Sequence, residues 1–211
     1  MGIQLSPISL CQYALGEYGI RGGLGTAVSI SKAHLLPILS YRTQIFYTYY
    51  FCGKNYGYEI EGGLIGAEFK STQAFPNWLE KNETNLKYHV HLLYLELGLL
   101  AKVRKNNFHQ NQEWAILLGP HLLTRLLNIA HSTTPSGSGM NLASQNFLNS
   151  NLLIPNLETR VRWRKSFSRK RTFYLEPSII LPLLPSISKE DLQLQPIFLQ
   201  LQLGYAFGST G

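Results

Sequence analysis

Near its carboxyl terminus the chain reads PIFLQLQLGYAFG, residues Pro196–Gly208. Apolar residues alternate there with small or polar ones, and alternation with period two is typical of a β-strand with two unlike faces. One face carries Leu199, Leu201, Leu203, Tyr205 and Phe207. The other face carries Gln200, Gln202, Gly204, Ala206 and Gly208.

The same alternation recurs in seven earlier segments, so the sequence predicts eight strands. They are Tyr18–Ile30, Leu39–Gly53, Tyr56–Lys70, Lys87–Val103, Glu113–Leu127, Asn156–Lys165, Thr172–Leu183 and Pro196–Gly208. Strands in globular proteins usually have about five or six residues, whereas membrane-crossing strands need about nine to eleven. Connections are mostly short after strands two, four and six and longer after three, five and seven, a pattern typical of outer-membrane barrels.

The composition fits one folded β domain. Of the 211 residues, 15% are charged and 12% are aromatic, and the net charge is +7. Few charges with many aromatics exclude a disordered protein, and no run approaches the 18 apolar residues of a transmembrane helix. We expect a periplasmic segment over residues 1–17 and a single barrel over 18–211, with Cys11 and Cys52 unpaired. The first residues lack the basic and apolar regions of a signal peptide, so the compartment is inferred from the fold.

Three features favour lipid, and not a protein core, against the apolar face. The strands are long, aromatics gather at one rim as an interfacial girdle does, and the opposite face mixes small residues with Glu and Arg. The expected girdle consists of Tyr18, Trp163, Phe173, Tyr205 and Phe207. The sequence therefore predicts an all-β fold, an eight-stranded antiparallel up-and-down transmembrane β-barrel with a filled polar lumen. A soluble β-sandwich or lipid-binding barrel, with the leucines inside and the charges in water, is the alternative.

Four stretches resemble the PorT-like family of outer-membrane β-barrel proteins of Bacteroidota. They are GIRGG (Gly19–Gly23), LLYLELGLLAK (Leu92–Lys102), ILLGPHL (Ile116–Leu122) and FYLEPSIILPL (Phe173–Leu183). The family's usual Y-L-E-I-P appears here as Tyr94, Leu95 and Glu96 followed by Leu97 and Gly98. The resemblance implies eight strands with both termini in the periplasm. Some members belong to type IX secretion and gliding machinery.

The predicted alternation turns nine charged residues toward the lumen. They are Arg21, Glu59, Glu61, Glu96, Arg125, Glu158, Arg160, Arg162 and Glu176. A polar pore or an ion path is one interpretation. We favour a salt-bridged plug, because eight strands leave an interior that side chains just fill and an unpaired buried charge is very costly. These arginines also account for part of the basic excess.

The remaining basic residues concentrate in two predicted turns. They are Lys102, Arg104, Lys105, Arg164, Lys165, Arg169, Lys170 and Arg171. We expect them at the periplasmic rim, where they either meet an acidic partner or anionic lipid, or are simply solvated. Nucleic acid is excluded as a partner, because the aromatics lie with the aliphatic face and are not interleaved with the bases.

No motif for catalysis is evident. His89 and His91 have a spacing that could hold a metal, but no carboxylate or Cys lies nearby in sequence, so we interpret them as exposed histidines. A G-x-S-x-G nucleophile motif is absent, and GIRGGLG does not fit G-x-G-x-x-G. We therefore expect no metal and no cofactor.

The function predicted from the sequence is a non-catalytic structural or interaction subunit of a bacterial outer-membrane complex, such as type IX secretion or a related surface-protein machinery. Its expected partners are membrane lipid, including lipopolysaccharide, and other proteins of the complex. The alternatives are a membrane-embedded lipid-modifying enzyme, a small pore and a soluble lipid-binding barrel. The enzyme predicts a Ser or His near the outer rim with a carboxylate beside it.

Overall fold

The chain forms eight long strands in the computed structural model. The described residues are 15–30, 35–51, 55–71, 75–76, 85–107, 112–133, 139–140, 152–168, 171–185, 187–189 and 192–209. The long strands are β1 (Leu15–Ile30), β2 (Leu35–Tyr50), β3 (Tyr56–Ser71), β4 (Asn85–Asn107), β5 (Gln112–Thr133), β6 (Leu153–Ser168), β7 (Arg171–Pro182) and β8 (Leu192–Ser209). Three short strands extend the connections: Phe75–Pro76, Gly139–Met140 and Ile187–Lys189. The eight predicted strands are confirmed, and β4 and β5 are longer than predicted.

Each long strand pairs antiparallel with the next, and β8 returns to pair with β1. At the closure, Ile20 lies opposite Tyr205 and Leu24 lies opposite Leu201. The result is a closed up-and-down barrel, as predicted. Closure matters because it leaves no open sheet edge in the barrel wall, a condition for crossing lipid with strands. Within the part of the chain that the structure describes, no helix is long and apolar enough to cross a membrane.

The barrel has two unlike ends. The β2–β3, β4–β5 and β6–β7 connections lie at one end, where β1 begins and β8 ends; we call this the turn end. The longer connections β3–β4, β5–β6 and β7–β8 lie at the other, the loop end, together with the short β1–β2 connection. The first described residue, Leu15, already belongs to β1, so the barrel begins three residues before the predicted Tyr18.

The outer wall of the barrel is apolar. Along β4, Leu95, Leu97 and Leu99 are about half exposed, whereas Glu96 and Leu100, on the other face of the strand, are fully buried. The same alternation with apolar residues outside runs along the other strands. A soluble lipid-binding barrel needs the reverse, with a charged exterior around an apolar cavity. This wall therefore fits contact with lipid.

The lumen is filled and has two zones. Its turn-end half holds charged and polar side chains, as predicted. Its loop-end half holds an apolar cluster that the alternation did not reveal: Ala27, Leu35, Ile65, Ala67, Phe69, Val90, Leu92, Tyr94, Leu123, Ile154, Ile180, Leu194 and Phe198. The charged groups thus lie beneath an apolar layer that separates them from the loop end.

A charge placed on the outer wall tests the lipid contact. Leu97 is about half exposed and lies opposite Gly62, midway along β3. We expect Leu97→Arg to lower the free energy of unfolding in lipid vesicles by about 2–4 kcal/mol, because the guanidinium enters hydrocarbon. Val103→Arg, at an exposed position near the turn end, is the control and should cost about 1 kcal/mol or less. Equal values for both variants in denaturant titrations contradict the lipid-facing assignment.

Candidate functional site: the buried charge network

Nine charged side chains form one cluster in the middle of the lumen. Four are arginines and five are glutamates, and each has 3% or less of its surface exposed: Arg21, Arg42, Arg160, Arg162, Glu59, Glu61, Glu96, Glu158 and Glu176. Strands β1, β2, β3, β4, β6 and β7 each contribute at least one of them. The structure thus brings together eight of the nine charges predicted to face the lumen.

Arg160 is the most connected member of the cluster. Its Nη1 lies 3.2 Å from a carboxylate oxygen of Glu59 and 3.2 Å from one of Glu176. Its Nη2 lies 3.0 Å from Glu61 and also donates to Glu158. The five donors of a guanidinium, arranged in a rigid plane, allow one arginine to join four carboxylates.

Arg42 joins the loop-end side of the cluster and was not predicted from the sequence. It pairs with Glu96 at 2.9 Å, Glu158 at 2.6 Å and Glu61 at 3.1 Å. The available signal was the polar run at every second position, Ser40, Arg42 and Gln44. The aromatic residues that follow in the same strand obscured it.

Arg21 and Arg162 complete the cluster on the turn-end side. Arg21 pairs with Glu59 at 2.7 Å, with Glu176 at 3.2 Å and with Glu61. Arg162 donates to Glu59 at 2.8 Å and to Glu176. The Arg162 guanidinium also lies 4.6 Å from the ring centroid of Tyr174, a cation–π distance.

A second ion-pair cluster lies in the lumen closer to the turn end. Lys102 approaches Glu113 to 3.1 Å and Arg104 approaches it to 3.5 Å. Arg164 joins Glu113 and Glu17, each at 3.3 Å. The prediction that Lys102, Arg104 and Arg164 lie in a basic rim is therefore wrong. Lys102 and Arg164 lie on the inner faces of the predicted strands themselves, and Arg104 follows because β4 runs on to Asn107.

The other predicted rim residues have different places. Lys105, Lys165 and Arg171 are exposed at the turn end. Arg169 and Lys170 lie outside the described residues.

The two clusters together are electrically balanced. They hold seven arginine or lysine side chains and seven glutamate side chains. The chain has 19 basic and 12 acidic residues, so the whole surplus of seven lies outside these clusters. The expectation that the lumen arginines account for part of the basic excess is therefore wrong.

His121 lies among the carboxylates of the central cluster. Its Nε2 is 3.2 Å from Glu96, and 3.8 Å from both Glu61 and Glu158. Gly98 makes this possible, because a Cβ there would meet carbons of Glu61 and His121 at 2.8 and 2.9 Å. The ligand atoms of Glu61, His121 and Glu158 are close enough to hold a metal ion. The Arg42 guanidinium already lies 3.1 Å from His121 and pairs with both glutamates, so this donor set fits a guanidinium and not a metal cation.

Arg125 is not in the fully buried layer with the other predicted charges. It is half-buried on the loop-end side of Leu123, which belongs to the apolar cluster. The strand register shifts there, since Arg125 lies opposite Tyr94 while Leu127 lies opposite Leu93. This β-bulge follows Arg125, so Arg125 keeps the inward phase of Leu123 and differs from the other predicted charges only in its depth along the lumen.

The aromatic residues at the turn end are continuous around much of the barrel. Tyr18 and Phe207 have ring centroids 6.0 Å apart, and Phe207 and Tyr205 are 5.0 Å apart. Phe173 lies opposite Tyr205, and Trp163 lies opposite Trp114 on β5. Further outward-facing aromatics extend this girdle: Tyr47, Tyr49, Phe51, Tyr56, Tyr58 and Trp114.

A polar group marks the outer wall toward the loop end. The Tyr41 hydroxyl and His91 Nε2 are hydrogen-bonded at 2.9 Å, and His91 Nδ1 lies 3.4 Å from Glu68. His89 Nε2 lies 3.7 Å from the same carboxylate. Tyr41 reaches this position because it lies over Gly66, where a Cβ would meet the Tyr41 ring at 2.2 Å. Glu68 on β3 thus supplies the carboxylate that the sequence next to His89 and His91 lacks.

The charged layer closes the lumen to water. Glu59, Glu158, Arg160, Arg162 and Glu176 each have no exposed surface. A channel wide enough for water would leave the side chains that line it accessible. Among the described residues, this arrangement therefore has the properties of a structural plug, in which every charge has a partner.

Removing one arginine tests how strongly the plug stabilises the barrel. We expect Arg160→Met to lower the free energy of unfolding by about 3–5 kcal/mol, because the buried cluster then carries one more negative charge that no cation offsets. Lys165→Met removes an exposed charge and is the control. The double variant Arg160→Met/Glu158→Gln should recover part of the loss. Denaturant titration in vesicles measures all three, and equal stability of the two single variants contradicts the plug.

Comparison with known proteins identifies the fold. No protein-family model and no curated protein matches the sequence. The outer membrane protein OprG from Pseudomonas aeruginosa superposes with a TM-score of 0.56 at 12% identity, over 93% of this chain and 98% of that one. Neisserial surface protein A (NspA) gives 0.46 at 10% identity over 90% and 96%. The translocator domain of the autotransporter NalP from Neisseria meningitidis gives 0.36 at 7% identity over 92% and 88%. The similarity to OprG supports the fold, an eight-stranded antiparallel transmembrane β-barrel.

Proposed function

We propose that the protein is a non-catalytic β-barrel of a bacterial outer membrane and serves as a structural or interaction subunit of a complex there. The observation that carries this proposal is the closed lumen. Since the interior is occupied by paired charges and an apolar cluster, the surfaces left for function are the outer wall and the two ends. The PorT-like resemblance places both termini, and hence the turn end, in the periplasm, and suggests type IX secretion or a related machinery as the complex.

The most prominent surface for a protein partner is on the β4–β5 hairpin. Its turn lies at the turn end, and its two strands project at the loop end. Strands β4 and β5 have 23 and 22 residues, more than any other strand, and they stay paired as far as Lys87 and Thr133. Strand β6 accompanies β5 only up to Thr124. The hairpin therefore extends beyond the common wall of the barrel.

The projecting part of β5 has an unpaired edge. After a last backbone hydrogen bond from Arg125 to Leu152, residues 126–131 have no strand on this side within the described part of the chain. Pairing resumes only at Ser132 and Thr133, with the short strand Gly139–Met140. An open edge is a template for another strand, and natural edges are usually protected by charges or proline.

The residues of the edge themselves supply no such protection. Residues 126–131 read LLNIAH and contain no Asp, Glu, Lys, Arg or Pro. An extended segment of a partner protein could add to the edge by β-strand addition, in which backbone hydrogen bonds give the affinity. We propose this edge as the protein-binding surface.

Copurification tests the proposal. We expect the native protein, extracted in mild detergent and analysed by mass spectrometry, to carry a stoichiometric protein partner. Leu127→Lys/Ile129→Lys places two charges along the edge and should remove that partner, because edge lysines oppose strand addition.

The matched control is Lys105→Gln/Lys165→Gln at the turn end, which should keep the partner. Circular dichroism establishes that each variant is folded. A wild-type barrel that is purified alone contradicts the subunit role. A partner that survives the lysine substitutions contradicts only the proposed edge.

A lipid-modifying membrane enzyme is the second candidate. Such an enzyme requires a histidine beside a carboxylate near the outer rim. His91 and Glu68 lie together on the outer wall and favour it. The hydroxyl bonded to His91 is the phenol of Tyr41 and not a serine, which favours a structural hydrogen bond.

Lipid turnover separates these two candidates. We expect wild-type protein and His91→Ala to leave phospholipid and lipid A equally intact, because no acyl transfer passes through this group. Mass spectrometry of the incubated lipids is the measurement, with Tyr41→Phe as a second variant. Product formed by the wild type and lost in His91→Ala establishes the enzyme.

A further inference from the structure

Three basic side chains project outward at the turn end. They are Lys105 on β4, Lys165 on β6 and Arg171 on β7, and all are exposed. Each follows the outward phase of its strand, two residues from Val103, Trp163 or Phe173 respectively. They therefore lie on the lipid-facing side of the barrel wall, and not over the mouth of the lumen. We call these three residues the basic sector.

The basic sector is interleaved with the aromatic girdle. Lys105 lies opposite Trp114, Lys165 lies opposite Phe173, and Arg171 lies opposite Phe207. The girdle of a membrane barrel marks the boundary between hydrocarbon and headgroups. Charges that alternate with it are therefore at the depth of the lipid phosphates.

Two members of the sector are close enough to share one phosphate. Lys165 lies opposite Phe173. Arg171 is two residues before Phe173 in β7, nearer the turn end and on the same face. Diagonal neighbours of this kind are separated by roughly 7–8 Å. Side chains as long as lysine and arginine can converge across that distance.

No acidic group of the described turn end neutralises the sector. Glu17 and Glu113 point into the lumen and pair with Arg164 there. The other acidic residues outside the lumen belong to the loop-end half of the chain, on β3 or in the β3–β4 and β7–β8 connections: Glu68, Glu80, Glu83, Glu190 and Asp191. The charge of the sector is therefore available to a ligand.

The described residues on the β2 and β3 side of the same rim lack such charges. The described residues of β2 and β3 at the turn end present Tyr47, Phe51 and Tyr56 outward and no exposed base. Among the described residues, the exposed bases of this rim are thus confined to β4, β6 and β7, whereas the aromatics continue onto β2 and β3. A girdle that served only to position the barrel in the membrane does not require this division.

We propose that the basic sector binds the phosphate groups of anionic glycerophospholipids in the leaflet at the turn end. The charges point sideways into the headgroup layer, where a protein docked beneath the turns does not reach them. Each basic residue near an anionic membrane surface contributes about a fivefold gain in affinity, about 1 kcal/mol. The proposal concerns the lipid only; that the leaflet is the periplasmic one rests on the orientation given under the proposed function.

Lipid selection by the purified barrel tests the proposal. The full chain in detergent is offered equal amounts of phosphatidylglycerol and phosphatidylethanolamine, and bound lipids are counted by native mass spectrometry. We expect phosphatidylglycerol to be preferred, and the preference to fall as salt is added. Lys105→Gln, Lys165→Gln and Arg171→Gln should each lower the affinity for phosphatidylglycerol about fivefold, with no change for phosphatidylethanolamine.

The control removes the same charge from the opposite end. Lys32→Gln/Lys70→Gln/Lys189→Gln matches the turn-end variant Lys105→Gln/Lys165→Gln/Arg171→Gln in net charge, and it should keep the preference that the turn-end variant loses. Circular dichroism establishes folding of both triple variants. The proposal is overturned if the turn-end variant keeps its preference or if the loop-end variant loses as much. None of these outcomes depends on whether a protein partner copurifies.

Discussion

The pairing of charges inside a narrow barrel is the constraint on which the rest of this structure depends. Eight strands enclose an interior with space for side chains but little for water, and an ion without a partner there is very unfavourable. Four arginines and five glutamates from six strands satisfy one another in the central cluster. Seven basic and seven acidic groups balance over both clusters. The strands are thereby tied together across the lumen as well as along the wall.

This internal balance shapes the exterior. Because the lumen holds equal numbers of acids and bases, the whole surplus of positive charge belongs to the two ends and the outer wall. Among the described residues outside the lumen, the one acidic side chain, Glu68, lies toward the loop end, whereas Lys105, Lys165 and Arg171 lie at the turn end. The projecting β4–β5 hairpin then distinguishes the loop end by shape. The loop end thus carries the edge proposed to bind a partner strand, and the turn end carries the basic sector proposed to bind lipid phosphate.

The sequence predicted much of the candidate site because alternation assigns a face to each residue. Glu158, Arg160 and Arg162 follow one another at every second position of β6 and were assigned to the lumen. Arg42 was missed because its strand is dominated by aromatics on both faces. Lys102 and Arg164 were assigned to basic turns with their charged neighbours, although each lies in the last three residues of a predicted strand and in phase with its inner face. Arg125 lies opposite the buried Tyr94, in the inward phase predicted for it, but it is separated from the charged cluster by the apolar zone.

The sequence by itself determined the strands, the inner and outer faces and the closed barrel, since these follow from local periodicity and from the need to pair every backbone group in lipid. Only the tertiary structure decided which charges meet. Arg160 joins carboxylates that are up to 101 residues away in the chain, and Glu68 reaches His91 from the neighbouring strand. The division of the lumen into charged and apolar zones likewise depends on register and strand length. These contacts arise from the closing of the sheet, which brings together residues that no local pattern connects.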